Sequence, residues 1–219
     1  MYRFVEDKNF LKRAQNSCVK DLQELVHLLQ EEGISSQFIL VGSGGRNMVT
    51  QNENGDIDLD YNLLIQKCEN INDCQYLKET ARKCLNKVMR KQNLRDVQDS
   101  TSSLTTYPCH FNDYPDIQFS MDVCIIAKDD DGNWYRLIHK KTGFVDSDNY
   151  FWNQVPDSSE VSQKATALKD NNLWEEVRDY YLNKKNLYLS RNDHNHPSFI
   201  CYIEAVNEVY SRYKWTRKQ

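Results

Sequence analysis

Three carboxylates stand at alternate positions in Asp56-Ile57-Asp58-Leu59-Asp60, about a dozen residues after the small-residue turn Val41-Gly42-Ser43-Gly44-Gly45. Side chains on a strand alternate with period two, so a strand here places Asp56, Asp58 and Asp60 on one face. Like charges this close repel and lose hydration. The arrangement is tolerable when divalent cations sit among the acids or when one acid keeps its proton. Oxygen ligands of this kind suit magnesium, with manganese as the alternative, and magnesium commonly takes one or two carboxylates while substrate phosphates fill its other positions.

The turn Gly42, Ser43, Gly44 ends an apolar strand and can offer backbone N–H groups to a phosphate. It lacks the Gly-Lys-[Ser/Thr] ending of a P-loop and the third glycine of a dinucleotide fingerprint. Arg46 follows it, where a guanidinium could grip a triphosphate. Farther on, Asp122 interrupts the otherwise apolar run Ile117 to Ile126, and a carboxylate in such a strand needs a partner or a function. Asp122 is therefore the candidate third carboxylate. Two metals ~4 Å apart, bridged by shared aspartates, could activate a hydroxyl and steady a pyrophosphate leaving group. Phosphate cradle and metal carboxylates together point to nucleotide chemistry.

These residues resemble the polymerase-beta-like nucleotidyltransferases, whose signature is an apolar residue, Gly-Ser, a variable spacer and two acids alternating with apolar residues on the next strand. Val41-Gly42-Ser43 and Asp56-Ile57-Asp58-Leu59 carry the resemblance, which spans roughly residues 36 to 127 and includes a later strand acid at Asp122. It implies transfer of a nucleoside monophosphate from an NTP, ATP among the candidates, with pyrophosphate released. The acceptor is left open among small molecules, RNA and proteins. The metal pair is also open. Asp56 with Asp58 fits the usual spacer but leaves Asp60 deeper in the strand. Asp58 with Asp60 leaves the cheaper Asn62 there, with a spacer two residues longer, and is preferred; Asp56 is then an outer ligand. Asp122 would serve the metal nearer the nucleophile and help deprotonate the acceptor hydroxyl. Two rival readings are an inactive nucleotide-binding or partner-binding relative, acting as a sensor or toxin-antitoxin component, and a pyrophosphokinase, which lacks its long basic motif here.

The elements that must position these residues follow from periodicity. Apolar residues at Leu11, Ala14, Cys18, Leu22, Leu25 and Leu29 predict a helix from about Asp7 to Glu32, stopped by Gly33. Gln37 to Val41 and Ile57 to Ile65 read as strands, and Asn72 to Leu94 as a second helix. Ser102 to Phe111 and Ile117 to Ala127 are further strands. Asp129 to Gly132 is a hairpin turn into Trp134 to His139. Beyond Pro156 helices at Ser159 to Asp170, Leu173 to Leu189 and Pro197 to Lys214 predict a helical lobe. The expected fold is α+β: a mixed β-sheet flanked by helices, residues 1–155, followed by a C-terminal helical lobe, residues 156–219.

Composition bounds the rest. With 219 residues and 39% hydrophobic content the chain can build one sizeable core or two small ones. A formal net charge of -4 argues against a general nucleic-acid coat, although Arg82, Lys83, Lys87, Arg90, Lys91 and Arg95 form a basic run that could offer RNA a path. Seven cysteines without a Cys-x-x-Cys pair read as reduced thiols, and no run reaches membrane-spanning length, so a cytoplasmic protein without membrane partners is expected. Asn195 reads as a helix cap ahead of Pro197, and His194 and His196 lack a partner pair for zinc. The aromatic residues of the tail read as core, and Lys184 and Lys185 as candidates for reaching the triphosphate.

Overall fold

The computed structural model describes residues 1–144, 147–193 and 197–216. After β1 (Tyr2–Phe4) comes α1 (Lys8–Glu31), capped by Asp7, whose carboxylate accepts from the Phe10 N–H at 2.8 Å. Its buried stripe is Phe10, Ala14, Cys18, Leu22, Leu25 and Leu29, the spacing of a helix apolar along one side. Gly33, at φ +77°, ends it. The chain continues through β2 (Ser35–Leu40), the single turn α2 (Gly42–Gly45), β3 (Thr50–Asn52) and β4 (Ile57–Lys67). Next is α3 (Cys74–Lys91), capped by Asp73, then the short β5 (Gln98–Asp99), β6 (Leu104–Thr105) and β7 (Cys109–Phe111). The long β8 (Tyr114–Lys128), β9 (Trp134–Lys140) and β10 (Asn149–Gln154) precede the helices α4 (Ser159–Asp170), α5 (Trp174–Ser190) and α6 (Ser198–Thr216).

Two compact units result, one of residues 6–46 and 55–155 and the other of residues 1–5, 47–54 and 156–219. The first holds a mixed sheet ordered β10-β9-β8-β4-β2, with β6 and β7 also paired to β8. Only β4 and β8 run parallel, as α3 lies in the crossover between them; the other neighbours on this path are antiparallel. α1 and α3 pack together on one face of the sheet. There Leu59, Tyr61, Leu63, Met121, Val123, Ile125 and Leu137 are almost wholly buried. The mixed sheet with flanking helices is the architecture expected from the sequence.

The helix cover also contains charge. Lys78, on α3, is 2% exposed, and its ammonium lies 2.9 Å from Asp99 and donates to the Ser100 carbonyl at 2.6 Å. Asp99 is shared with His139, whose other ring nitrogen faces Asp148 at 3.0 Å. Burial alone would raise the Asp99 carboxyl, but Lys78 and then His139 outweigh it and hold it below the usual carboxylate range.

The second unit joins α4, α5 and α6 to a two-stranded sheet of β1 and β3. Its core includes Met48, Leu168, Val177, Tyr181, Ala205 and Val206. Phe4 stacks on Tyr181 with ring centroids 6.5 Å apart, and the Tyr2 N–H donates to Asn186 at 2.7 Å. Tyr181 and Tyr202 are buried as expected, whereas Phe199 is 44% exposed.

Several elements differ from the expectation. The strand read over Ser102 to Phe111 is two short strands, β6 and β7, separated by a stretch containing Pro108, which has no N–H for a ladder. β1, β3 and β10 were not legible. The first two have three residues each, and β10 stands at a sheet edge with only one paired neighbour. The reading of Asn195 as a cap, and of His194 and His196, falls outside the described residues. All seven cysteines are free thiols, and no helix among the described residues is long and apolar enough to cross a membrane.

Candidate active site

Alternation along β4 buries Ile57, Leu59, Tyr61, Leu63 and Ile65 under the helices and turns Asp58, Asp60 and Asn62 to the opposite face. The parallel register with β8 sets Asp58 opposite Ser120 and Asp60 opposite Asp122. Three acids thus share one face on two neighbouring strands. Asp56 lies in the loop before β4 and is exposed. The Ser120 hydroxyl donates to Asp58 Oδ1 at 2.5 Å, and the Thr105 hydroxyl, opposite Asp122 on β6, donates to Asp122 Oδ1.

The glycine turn meets the same place. Gly42 has φ +60°, a backbone state that favours glycine, and a Cβ there would stand 2.0 Å from Asp60 Oδ2. A Cβ on Gly45 would stand 2.8 Å from the Leu40 carbonyl oxygen. The Val41 N–H donates to the Asp60 carbonyl at 2.9 Å, continuing the ladder and fixing where the turn begins. From there Gly42, Ser43, Gly44 and Gly45 make the single turn α2 against the acid strand. Arg46, read from the sequence as a residue that could grip a triphosphate, donates through Nη1 to the Gly42 carbonyl at 2.8 Å, so part of its guanidinium braces the turn.

Charge repulsion is visible in the acids. Asp60 is pushed up to about 6, first by burial and then by Asp122 and Asp58, with Arg46 and Arg136 pulling the other way. Burial also raises Asp122, with Asp58 adding to it and the hydroxyls of Thr105 and Ser103 opposing. Among the described residues no group of three or more histidine, cysteine, aspartate or glutamate side chains is placed to hold a metal ion as it stands. Yet hard oxygen donors that repel one another on a shared face are a donor set of the kind a hard divalent cation relieves. By that chemistry the residues fit a metal.

Ser120, Thr105 and Arg136 were missed in the sequence. Ser120 was within reach, since period two puts it on the face of Asp122. Thr105 was not, because its approach depends on β6 pairing with β8. The basic run is partly neutralised: Arg82 pairs with Glu79 and Arg90 with Asp96, each at 2.5 Å, and Lys91 pairs with Glu24. Lys184 lies 3.2 Å from Glu204, and Lys185 donates to Thr50 at 2.7 Å.

No family model and no curated protein matches the chain. Solved structures do. The Elizabethkingia meningoseptica CdnE cyclic dinucleotide synthase, captured with GTP and Apcpp, aligns with TM-score 0.53 at 14% identity over 88% of this chain and 68% of its own. CdnC of E. coli MS115-1 in complex with HORMA-deltaN gives TM-score 0.54 at 14% identity over 92% of this chain and 60% of that one. The same CdnC with ATP gives 0.54 at 13% identity, over 94% and 62%. The chain thus spans about three-fifths to two-thirds of the length of these proteins. At such identities the likeness is one of fold, and it is the nucleotidyltransferase fold that the Gly-Ser and aspartate motifs resemble.

Proposed function

We propose that this chain is a divalent-cation-dependent nucleotidyltransferase that passes a nucleoside monophosphate from an NTP to an acceptor hydroxyl and releases pyrophosphate. One observation carries the reading: Asp60 stands opposite Asp122 across parallel strands while Gly42 lies against the Asp60 carboxylate, so the turn and the acids form one surface. The similar folds of a cyclic dinucleotide synthase with GTP and of CdnC with ATP support an NTP donor, and the former supports a second nucleotide as acceptor.

Asp58 and Asp60 would hold two magnesium ions, or manganese, with Asp56 as an outer ligand and Asp122 as the third carboxylate. Bound cations would supply charge stabilisation for the triphosphate and for the leaving pyrophosphate. The chain's own groups do the rest. The backbone N–H groups of Gly42, Ser43 and Gly44 would bind β and γ phosphates, and Arg46 would hold the turn in shape through the Gly42 carbonyl. Ser120 and Thr105 orient Asp58 and Asp122 by donating to one oxygen of each. Asp122, raised by burial and by Asp58, is suited to take the acceptor proton as its oxygen attacks the α phosphorus.

The test is pyrophosphate release from each of the four NTPs, alone and in pairs, with magnesium or manganese. Release with at least one combination, abolished by EDTA and by Asp58→Ala, is expected. Tight NTP binding without release under any combination would replace this reading with that of a nucleotide sensor.

A further inference from the structure

The acid-bearing face of the sheet does not stop at Asp60 and Asp122. One step farther along, Asn62 stands opposite Cys124, and one step beyond that Ile126 stands opposite Arg136 of β9. All are on the face away from α1 and α3. Asn62, Cys124 and Arg136 are each half-buried. Two polar atoms in this patch are sealed from solvent without a hydrogen bond: Asn62 Oδ1 and Arg136 Nε. Among the described residues Arg136 also has no ion-pair partner, and the other strand arginine, Arg3 of β1, belongs to the other unit. Asp60 and Cys124 feel its charge through space, but neither is hydrogen-bonded to it.

A guanidinium has five N–H donors and loses hydration when half-buried, so leaving it unpaired is costly. Buried polar groups are nearly always satisfied, and two orphans on the face that carries the acids, with β8 between them, call for an explanation. An oxyanion satisfies Arg136, because the planar fork matches phosphate oxygens two at a time. A hydroxyl or N–H next to that anion satisfies Asn62 Oδ1. Each residue is only half-buried, so a ligand can reach the exposed part of its side chain, and pairing with the covered Nε and Oδ1 follows from a small shift of that side chain.

We infer that Arg136 and Asn62 form an anion subsite, adjoining the aspartates but not made of them, that takes a phosphate group. The subsite goes beyond nucleotidyl transfer and does not need it, since neither residue belongs to the proposed metal or phosphate-cradle set.

Binding is measured by calorimetry in EDTA, with AMP, adenosine and inorganic phosphate as probes and the Arg136 Nε–Hε resonance as a local reporter. AMP should bind at least tenfold more tightly than adenosine, as expected of a charge-assisted pair worth ~1.5–3 kcal/mol. The Arg136 resonance should move on titration. In Arg136→Gln the preference should shrink to about twofold or less, and Arg136→Lys should restore part of it. If inorganic phosphate also moves the resonance, the phosphate group alone suffices; if only AMP does, the nucleoside supplies the Asn62 contact. Equal binding of AMP and adenosine, or an AMP preference intact in a folded Arg136→Gln, overturns the subsite. Since no turnover is involved, a chain that binds AMP in this way but releases no pyrophosphate would retain the subsite and lose the proposed function.

Discussion

At the scale of single residues, the contact between Gly42 and Asp60 is the most demanding. Gly42→Ala must seat a methyl 2.0 Å from a carboxylate oxygen at φ +60°, and one or the other has to move. Strain of this kind costs ~1–3 kcal/mol, so the variant should show a lower unfolding midpoint in urea together with loss of pyrophosphate release. Asp60 makes a prediction with a definite sign. Its rise from 3.8 to about 6 penalises the ionised form in the folded state, by an amount on the order of 2–3 kcal/mol. Folding is therefore disfavoured above about pH 6, and the penalty fades as pH falls through 6 towards 3.8. Asp60→Asn should accordingly be more stable than the parent at pH 8 and equal to it near pH 3.5, as read from denaturation at the two pH values. A parent-variant difference that does not depend on pH would contradict the repulsion described.

At the scale of elements, the buried Lys78 fastens α3 to β5. Replacing one member of a buried ion pair strands the other, a loss of ~3–5 kcal/mol, and Lys78→Met should show it in equilibrium unfolding at pH 7. Asp99 is held below its ordinary 3.8, so its contribution is complete above that value and disappears as pH drops through the depressed one. The gap between parent and variant should close over that acid window. The elements also show which signals the sequence carried. Long, strongly periodic segments were readable: α1 and α3, the alternating β4, and helices beyond Pro156. So was the convergence of the Gly-Ser turn on the aspartates, because an apolar strand, a glycine turn and alternating acids each have local signatures. Pairing was not. That Asp60 faces Asp122, that Thr105 reaches Asp122, and that Lys78 goes inside depend on register and on which face a helix covers. The same limit made the basic stretch on α3 look like a path for RNA, when Asp96 and Glu24, from outside the helix, neutralise part of it.

At the scale of the whole molecule, the helical unit is assembled from three stretches of chain, with Phe4 against Tyr181 and Met48 inside its core. Removing residues 1–5 should lower amide protection in α5 and α6 while leaving α1 and β4 as protected as before, a pattern hydrogen exchange can read directly. Loss of protection spread evenly over both units would mean that they unfold as one. The excursion of residues 47–54 has an implication for inheritance. A lineage that swapped its helical half for another could not do so with one crossover, because a core residue such as Met48 is encoded between the glycine turn and the aspartates. The two halves are therefore expected to travel through descent as a single block, diverging in place and seldom recombining.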